Sequence, residues 1–280
     1  MKVGFCSDVH VEFGPIEIYN DKKADVLILA GDIIVANQLF DKGERHYLDG
    51  REFKVSMSDR FHGFFQQVCE EFKDVIFILG NHEHYNGDFV DTLYHIKEKF
   101  SYLKNLHILE KEKFVLNDVT FLCGTMWTDF NKNDEYAMGL IERRMNDFQI
   151  VKNSNDNQEG YFGKMFSPRD AYNDHQEFMT FANKELSDED TRKVVMVTHH
   201  CPSSICIPEK YAGQTLMNPG YVSNLEDFIL DNPKINAWVC GHSHRRLEAM
   251  IGSTQILMNC RGYHPMEELS HDFELKYFEV

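Results

Sequence analysis

Short apolar runs rich in β-branched residues recur along the chain, and glycine or polar residues end each of them. The runs are KVGFCS, DVLILAG, VIFILG, VTFLCGT, VVMVTH and AWVCGH. Each has about the length of a buried β-strand, and together they predict a sheet protein with a buried core.

Helical patterns lie between some of these strands. The stretch SDRFHGFFQQVCEEF places its apolar residues on one helical face, namely Phe61, Phe64, Phe65, Val68 and Phe72. The stretch NLEDFILDN predicts another helix, which the pair Asn232-Pro233 would end.

Two dipeptides between strand-like runs predict hairpins, Asn117-Asp118 and Gly252-Ser253. Alternating strands and helices, with hairpins added, predict an α/β protein with mixed sheets. Residues 131–190 are more polar and include NSNDNQEG, which predicts a helical and loop insertion over one edge of the core. The chain has no internal repeat and no long low-complexity linker, so we expect one domain over residues 1–280.

The charge of the chain bears on its partners. Lys and Arg total 29 and Asp and Glu total 45, which gives a net charge of −16. So acidic a surface disfavours non-specific nucleic-acid binding, although a bound metal ion can still attract an anionic substrate. No apolar run approaches the ~18–20 residues of a membrane span, and the first residues lack a signal-peptide pattern. We therefore expect a cytoplasmic protein without a membrane partner.

The seven cysteines are scattered and form no C-x-x-C pair. Several lie in apolar runs, so we expect free, buried thiols in a reducing compartment and no disulfide or zinc–thiolate framework.

Side chains that can bind metal follow five of the apolar runs. They are Asp8 and His10, then Asp32, then Asn81 and His82, then His199 and His200, and finally His242 and His244. Since sites in α/β sheets form beyond the carboxyl ends of strands, we expect these side chains to converge. Taken alone, each motif has an ordinary explanation as a turn, a cap or a surface pair, and only their joint occurrence is specific.

The residue types fit a site for two metal ions. Phosphate ester hydrolysis needs activated water, charge neutralisation and in-line geometry, which two ions about 3.5–4 Å apart provide. A carboxylate such as Asp32 can bridge them. Mixed His, Asp and Asn ligands suit divalent or trivalent Mn, Fe or Zn, and also Ni or Co.

In the order D-x-H, G-D, G-N-H-E, H and G-H-x-H, the motifs resemble the calcineurin-like metallophosphoesterase superfamily over residues 8–244. The segments GTMWTDF and NCRGY also resemble a less characterised bacterial and phage branch of phosphohydrolases. The resemblance implies two mixed sheets packed face to face with helices outside, a four-layer αββα sandwich.

The resemblance also implies roles for these residues. Asp8, His10 and His244 would hold the first metal; Asn81, His199 and His242 would hold the second; and Asp32 would bridge them. The nucleophile would be a metal-bound hydroxide. His82 would not be a ligand but would stabilise the transition state or protonate the leaving oxygen.

Two departures from the family pattern leave alternatives open. The run THHCPSS has two histidines, and we favour His199 as the ligand because it directly follows the strand, with His200 as the alternative. The run GDIIVAN lacks the additional acidic residue that often follows the G-D pair. Contacts to substrate phosphate are expected from His200, Arg245 and Arg261, although loop charges are more often only solvated.

These features predict a binuclear metallophosphoesterase that hydrolyses phosphomonoesters or phosphodiesters, with a small soluble substrate such as a nucleotide. One alternative is a metal-dependent nuclease, which would need a basic groove beyond the short clusters HRR and KEK. Another is a non-catalytic metal-binding scaffold, which should have lost ligand residues. The sequence leaves the substrate, the metal pair and the oligomeric state open.

Overall fold

The computed structural model describes residues 1–48, 51–154 and 164–280. In chain order the strands are β1 (Lys2–Cys6), β2 (Val26–Ala30), β3 (Glu44–Leu48), β4 (Arg51–Val55), β5 (Asp74–Ile78), β6 (Leu106–Ile108), β7 (Glu112–Leu116), β8 (Val119–Gly124), β9 (Lys193–Thr198), β10 (Ile235–Cys240), β11 (Arg246–Ile251), β12 (Thr254–Asn259) and β13 (Lys276–Glu279).

The α-helices are α1 (Met57–Glu71), α2 (Phe89–Lys99), α3 (Phe130–Asn133), α4 (Glu135–Glu142), α5 (Asp147–Ile150), α6 (Pro168–Ser187) and α7 (Glu226–Asp231). The helix pattern in SDRFHGFFQQVCEEF is confirmed as α1, whose first turn is capped by the Ser56 side chain. The second helix pattern is confirmed as α7, which ends just before Asn232.

Two mixed sheets form the centre of the molecule. The first has the order β13-β1-β2-β5-β6, and the second has the order β11-β12-β10-β9-β8-β7. The inner strands of both sheets pair in parallel, while β13, β11 and β7 are antiparallel edge strands. The two hairpins expected at Asn117-Asp118 and Gly252-Ser253 are confirmed as β7–β8 and β11–β12.

The sheets pack face to face through a shared apolar core. Phe5 and Ile28 of the first sheet join Phe121 and Val239 of the second in one buried cluster. The outer face of the first sheet is covered by α1 and α2, and that of the second sheet by α6 and α7. Alternation of side chains across each strand lets the same strand serve both layers. The predicted αββα sandwich of mixed sheets is therefore confirmed.

The described part of residues 131–190 packs against the outer face of the second sheet and also forms an apolar cluster of its own. The helix α6 lies over the second sheet, with Phe178, Ala182 and Leu186 in its core. The shorter helices α3, α4 and α5 form a further apolar cluster around Trp127 and Phe166. Most of the NSNDNQEG stretch lies outside the described residues.

No disulfide joins any of the seven cysteines, and six of them are buried. Of the helices that the structure describes, none combines the length and apolarity that crossing a bilayer requires.

Candidate metal centre and active-site cleft

The predicted ligands meet at one edge of the sandwich, where the parallel strands end. Asp8 and Asp32 follow β1 and β2, and Asn81, His199 and His242 follow β5, β9 and β10. Backbone bonds tie these loops together: Asp8 N–H donates to Gly31 O at 3.0 Å, and Gly241 N–H donates to His199 O at 2.9 Å. The convergence expected from strand ends is therefore present in the fold.

The donor atoms form two neighbouring clusters. Asp8, His10 and His244 place their ligand atoms within 4.8 Å of one another, and so do Asp32, His199 and His242. Asn81 belongs with the second cluster, because its Oδ1 lies 3.0 Å from His199 Nε2 and 3.1 Å from His242 Nδ1. The structure thus brings together all seven residues that the sequence proposes as ligands.

In the first cluster, hydrogen bonds at Nδ1 of the two histidine rings leave each Nε2 available to bind a metal ion. His10 Nδ1 lies 3.1 Å from Glu12 Oε1, and His244 Nδ1 lies 2.5 Å from Glu267 Oε2. Each Nδ1–H therefore donates to a carboxylate, which leaves a lone pair on each Nε2.

Those two Nε2 atoms face each other at 3.2 Å. Two lone pairs at this distance require a cation between or beside them, either a proton or a metal ion. Asp8 Oδ1 lies 3.4 Å from His244 Nε2, so two imidazoles and a carboxylate converge on one point. This donor set fits a borderline divalent metal ion.

The second cluster distinguishes the two neighbouring histidines. His199 Nδ1 donates to Ala30 O at 3.0 Å, and its Nε2 lies 3.4 Å from Asp32 Oδ2. His200 is not part of the Asp32, His199 and His242 group; its ring packs against those of Trp127 and His242, with ring centroids 4.9 and 4.2 Å apart. The geometry therefore favours His199 over His200 as the ligand.

Five of the candidate ligands adopt the left-handed backbone region that L-residues rarely enter. The φ angles are 49° for Asp8, 47° for His10, 55° for Asp32, 66° for His242 and 46° for His244. Each such residue costs on the order of 1 kcal/mol and persists only where the surroundings fix it. Strain concentrated on these particular residues is typical of a functional centre.

Two motif glycines give the ligands room. A Cβ atom on Gly80 would lie 2.2 Å from Asp32 Oδ1, and one on Gly241 would lie 2.5 Å from Asp8 Oδ2. Any larger residue would displace a carboxylate, which explains why glycine precedes Asn81 and His242.

Glu83, the last residue of the G-N-H-E motif, binds the backbone of its own loop and of the loop that carries the G-D motif. Its buried carboxylate accepts backbone N–H groups from Gly80 at 2.6 Å, Asp32 at 3.0 Å and Ile33 at 2.7 Å. Burial and the nearby Asp32 charge raise the pKa of Glu83 to about 7, although these N–H groups oppose the shift. Its role is to position Asp32 and Asn81.

His82 borders the first cluster and lines the cleft. Its backbone N–H donates to Asp32 Oδ1 at 2.8 Å, and its Nε2 lies 3.2 Å from the Tyr263 hydroxyl. Burial disfavours the imidazolium, but Asp32 and Glu12 outweigh that effect and raise the pKa of His82 to about 9. These two carboxylates therefore favour the protonated ring, the form that can donate a proton.

Asp32 lies at the centre of these charges. Burial opposes ionisation, but His199 and His82 outweigh it and hold the pKa of Asp32 well below its usual range. An ionised carboxylate is the form that a bridging ligand needs.

A cleft of about 390 Å³ opens above the clusters. Asp32, Asn81, His82, His242 and His244 form its floor, and its walls include Tyr85, Arg144, Asn146, Asp147, Tyr211, Gln214, Asn218, Tyr221 and Tyr263. Asp147 is buried, and burial raises its pKa to about 6. The polar segment after residue 131 therefore supplies one wall of the cleft.

The expected phosphate contacts lie elsewhere. Arg245 donates through NH1 to the carbonyls of Ile205 and Ile207, and Arg261 donates through NH1 to those of Val9 and Gly14. Arg261 and His200 are also buried, and the His200 ring packs against that of His242. The structure does not place these three residues on the cleft lining.

Comparison with known proteins identifies the family of this chain. The model of the calcineurin-like phosphoesterase family matches residues 1–246, a range that contains every candidate ligand. The chain belongs to the calcineurin-like phosphoesterase family. An uncharacterised protein, L509, of Acanthamoeba polyphaga mimivirus is 23% identical in an alignment that covers 92% of this chain and 90% of that protein.

A crystal structure of a phosphopantetheinyl hydrolase from Mycobacterium tuberculosis has a similar fold. Its TM-score is 0.64 at 13% identity, and the alignment covers 99% of this chain and 95% of that chain. At this identity the likeness concerns the fold, which is the predicted sandwich.

Sequence reasoning missed several residues of the centre. Glu12 follows His10 at the spacing D-x-H-x-E, and that spacing was the available signal. Tyr263 ends the segment NCRGY, whose resemblance to a phosphohydrolase branch was the available signal. Glu267 and Asp147 had no such signal, because each reaches the site from a loop or helix far along the chain.

Proposed function

We propose that this protein is a binuclear metal-dependent hydrolase of phosphomonoesters or phosphodiesters. The observation that supports this best is the position of Asp32 between the two clusters. Its Oδ2 lies 3.9 Å from His10 Nε2 on one side and 3.4 Å from His199 Nε2 on the other. A single carboxylate in that position can bind two ions at once.

Two ions bound there would neutralise phosphoryl charge and activate water. Asp8, His10 and His244 would hold one ion, and Asn81, His199 and His242 would hold the other. Glu12, Glu267 and the Ala30 carbonyl would fix the rings of His10, His244 and His199 in the tautomer that ligates through Nε2.

His82 would act on the leaving oxygen. It lines the cleft beside Asp32 and is held by Glu12 on one side and Tyr263 on the other. An N–H donor fixed there can stabilise or protonate an oxygen on which charge develops as the P–O bond breaks.

The cleft suits a small substrate such as a nucleotide. Its volume, about 390 Å³, lies within the range of small-molecule sites. Its walls carry tyrosines, which can pack against an organic group, and amide side chains, which can orient one. Among the described residues, Arg144 is the only Lys or Arg that lines the cleft. The chain also carries a net charge of −16, so binding of a long polyanion is disfavoured.

A metal-supplemented activity screen tests this proposal. The purified protein, loaded with Mn²⁺, would be assayed against phosphate monoesters, diesters, cyclic nucleotides and nucleic acids, with Asp32→Asn as the control. We expect hydrolysis of small esters that the control lacks. Faster cleavage of nucleic acid would identify a nuclease, and two bound ions without any hydrolysis would identify a binding scaffold.

A further inference from the structure

Three buried cysteines lie together beneath the loops that carry the metal ligands. Cys201, Cys206 and Cys240, here called the thiol cluster, place their Sγ atoms within 4.8 Å of one another. Each of the three side chains has no exposed surface. Cys201 and Cys206 both lie in the connection between β9 and α7, Cys206 in the 3₁₀ turn Ser204–Cys206, and Cys240 ends β10.

The spacing of the sulfurs matches a metal site. Metal–thiolate bonds of about 2.3 Å place three sulfurs around one ion about 4.0 Å apart in a trigonal plane, or about 3.8 Å apart in a tetrahedron. Cys206 Sγ lies 4.0 Å from Cys240 Sγ. The other separations, at most 4.8 Å, would need to shorten by less than about 1 Å, which rotation of a buried side chain can supply.

Oxygen donors adjoin the sulfurs. Gly241 O lies 3.2 Å from Cys201 Sγ, and Ser243 Oγ lies 4.0 Å from the same sulfur. Packing of thiols as small apolar groups would explain their burial, but it does not require three sulfurs to meet within 4.8 Å of one another beside a carbonyl that accepts the Cys201 thiol. A three-thiolate set suits Cu(I), and a neighbouring oxygen would complete four-coordinate Zn(II).

We propose that the thiol cluster binds one soft, thiophilic metal ion, Cu(I) or Zn(II), at a site separate from the binuclear centre. The two sites would differ in selectivity, because three thiolates favour Cu(I) and Zn(II), whereas the His, Asp and Asn set also accepts Mn and Fe.

The bound ion would brace the active-site floor. Cys201 lies two residues after His199, and Cys240 lies two residues before His242. Cys206 precedes Ile207, which lines the cleft. The Cys206 carbonyl accepts a hydrogen bond from the Ser243 hydroxyl at 2.7 Å. One ion on the three sulfurs would therefore link both ligand loops to the cleft wall.

Cadmium titration tests the site, because the thiolate-to-cadmium charge-transfer band in the ultraviolet reports sulfur ligands alone. We expect the reduced, Mn²⁺-loaded protein to develop this band to saturation at one equivalent of Cd²⁺. Cys206→Ser should lose it, and Cys123→Ser, which removes a buried thiol of the inter-sheet core, should keep it. No band in the wild type, or an equal band in Cys206→Ser, would overturn the proposal.

X-ray absorption on the wild-type protein removes any dependence on the folding of a variant. With one equivalent of Cu(I) added anaerobically to the Mn²⁺-loaded protein, we expect a shell of three sulfurs at about 2.3 Å. A shell of nitrogen and oxygen alone would refute the site. The sulfur-bound ion should also remain in Asp32→Asn, and its loss there would show that the site is not separate.

Discussion

The carboxylate of Glu12 lies 3.4 Å from Nδ1 of His82. The same Oε1 lies 3.1 Å from Nδ1 of His10, so one carboxylate orients a candidate ligand and the candidate acid. Burial opposes ionisation of Glu12, but His10 and His82 outweigh it and hold its pKa below the usual value. The run after Gly31-Asp32 contains no acidic residue, and Glu12 supplies a carboxylate to His82 from a different loop.

Glu12→Gln should impair both functions of this carboxylate. A glutamine keeps the shape but binds the two imidazoles more weakly, so we expect a loss of about 10–100-fold in metal affinity and in turnover. Metal titration and steady-state kinetics would measure both effects. Glu17→Gln, at an exposed position on the same segment, is the matched control and should behave as wild type. Unchanged affinity and turnover in Glu12→Gln would contradict a positioning role.

Asp32→Asn tests the proposed bridge. The substitution removes the charge that two ions would share while it keeps the size of the side chain, so we expect loss of at least one ion and of nearly all hydrolysis. Metal content by mass spectrometry would show the loss, with the exposed Asp21→Asn as the control. Two ions per chain with normal turnover in Asp32→Asn would rule the bridge out.

The adjacent histidines should respond differently to removal. His199→Ala deletes the Nε2 that lies 3.4 Å from Asp32 and 3.0 Å from Asn81, so metal occupancy should fall. His200→Ala deletes a ring packed on Trp127 and His242, so it should lower stability and change metal affinity only modestly. Parallel metal titrations and thermal unfolding would separate the two effects. The reverse pattern would make His200 the ligand.

Much of this site follows from local sequence, and the rest depends on tertiary structure. Asp8, Asp32 and His242 were predictable because each follows a recognisable strand, and strand ends converge by topology. Glu267 reaches His244 from a loop near the C-terminus, and Asp147 reaches the cleft from a short helix in a polar segment. No periodicity links such residues to the site. The carbonyl partners of Arg261 also depend on the fold, since a charged residue beside a motif reveals nothing about the backbone groups that it will bind.

Glu110 should make stability depend on pH. Burial and the nearby Asp174 raise its pKa to about 7, although Lys111 opposes the shift. A raised folded-state pKa means that the unfolded chain releases this proton more readily than the folded protein does. The contribution of protonated Glu110 to the free energy of unfolding is therefore complete below the unfolded pKa near 4.5, and it is lost as the pH rises through about 7. Glu110→Gln should remove this loss.

Urea unfolding of wild type and Glu110→Gln at about pH 5 and about pH 8 would measure the difference, which we expect to be on the order of 1–2 kcal/mol. The exposed Glu112→Gln is the control, because its carboxylate pairs with Lys97 at the surface. Parallel pH profiles for wild type and Glu110→Gln would show that Glu110 titrates normally in the folded protein.

His82→Ala should separate catalysis from metal binding. His82 lines the cleft and contacts Glu12 and Tyr263, and a group that acts only as the P–O bond breaks lowers kcat without changing substrate binding. We expect both ions to remain and the rate on alkyl phosphates to fall about 10²–10⁴-fold, the usual effect of losing a general acid. Metal analysis and kcat on wild type and mutant would measure this.

The leaving group decides which role His82 has. A nitrophenolate leaves without protonation, so loss of a general acid should slow nitrophenyl phosphate far less than an alkyl phosphate. If both esters slow equally, His82 stabilises the phosphoryl oxygens and is not the acid. If the mutant loses an ion, His82 is a ligand. This is a specific alternative, because the ligand atoms of His10, Glu12 and His82 lie within 4.8 Å of one another. Tyr263→Phe provides a further comparison, because the Tyr263 hydroxyl lies 3.2 Å from His82 Nε2. If that hydroxyl orients the proton donor, its removal should give the same leaving-group dependence in weaker form. If it does not, Tyr263→Phe should show no such dependence.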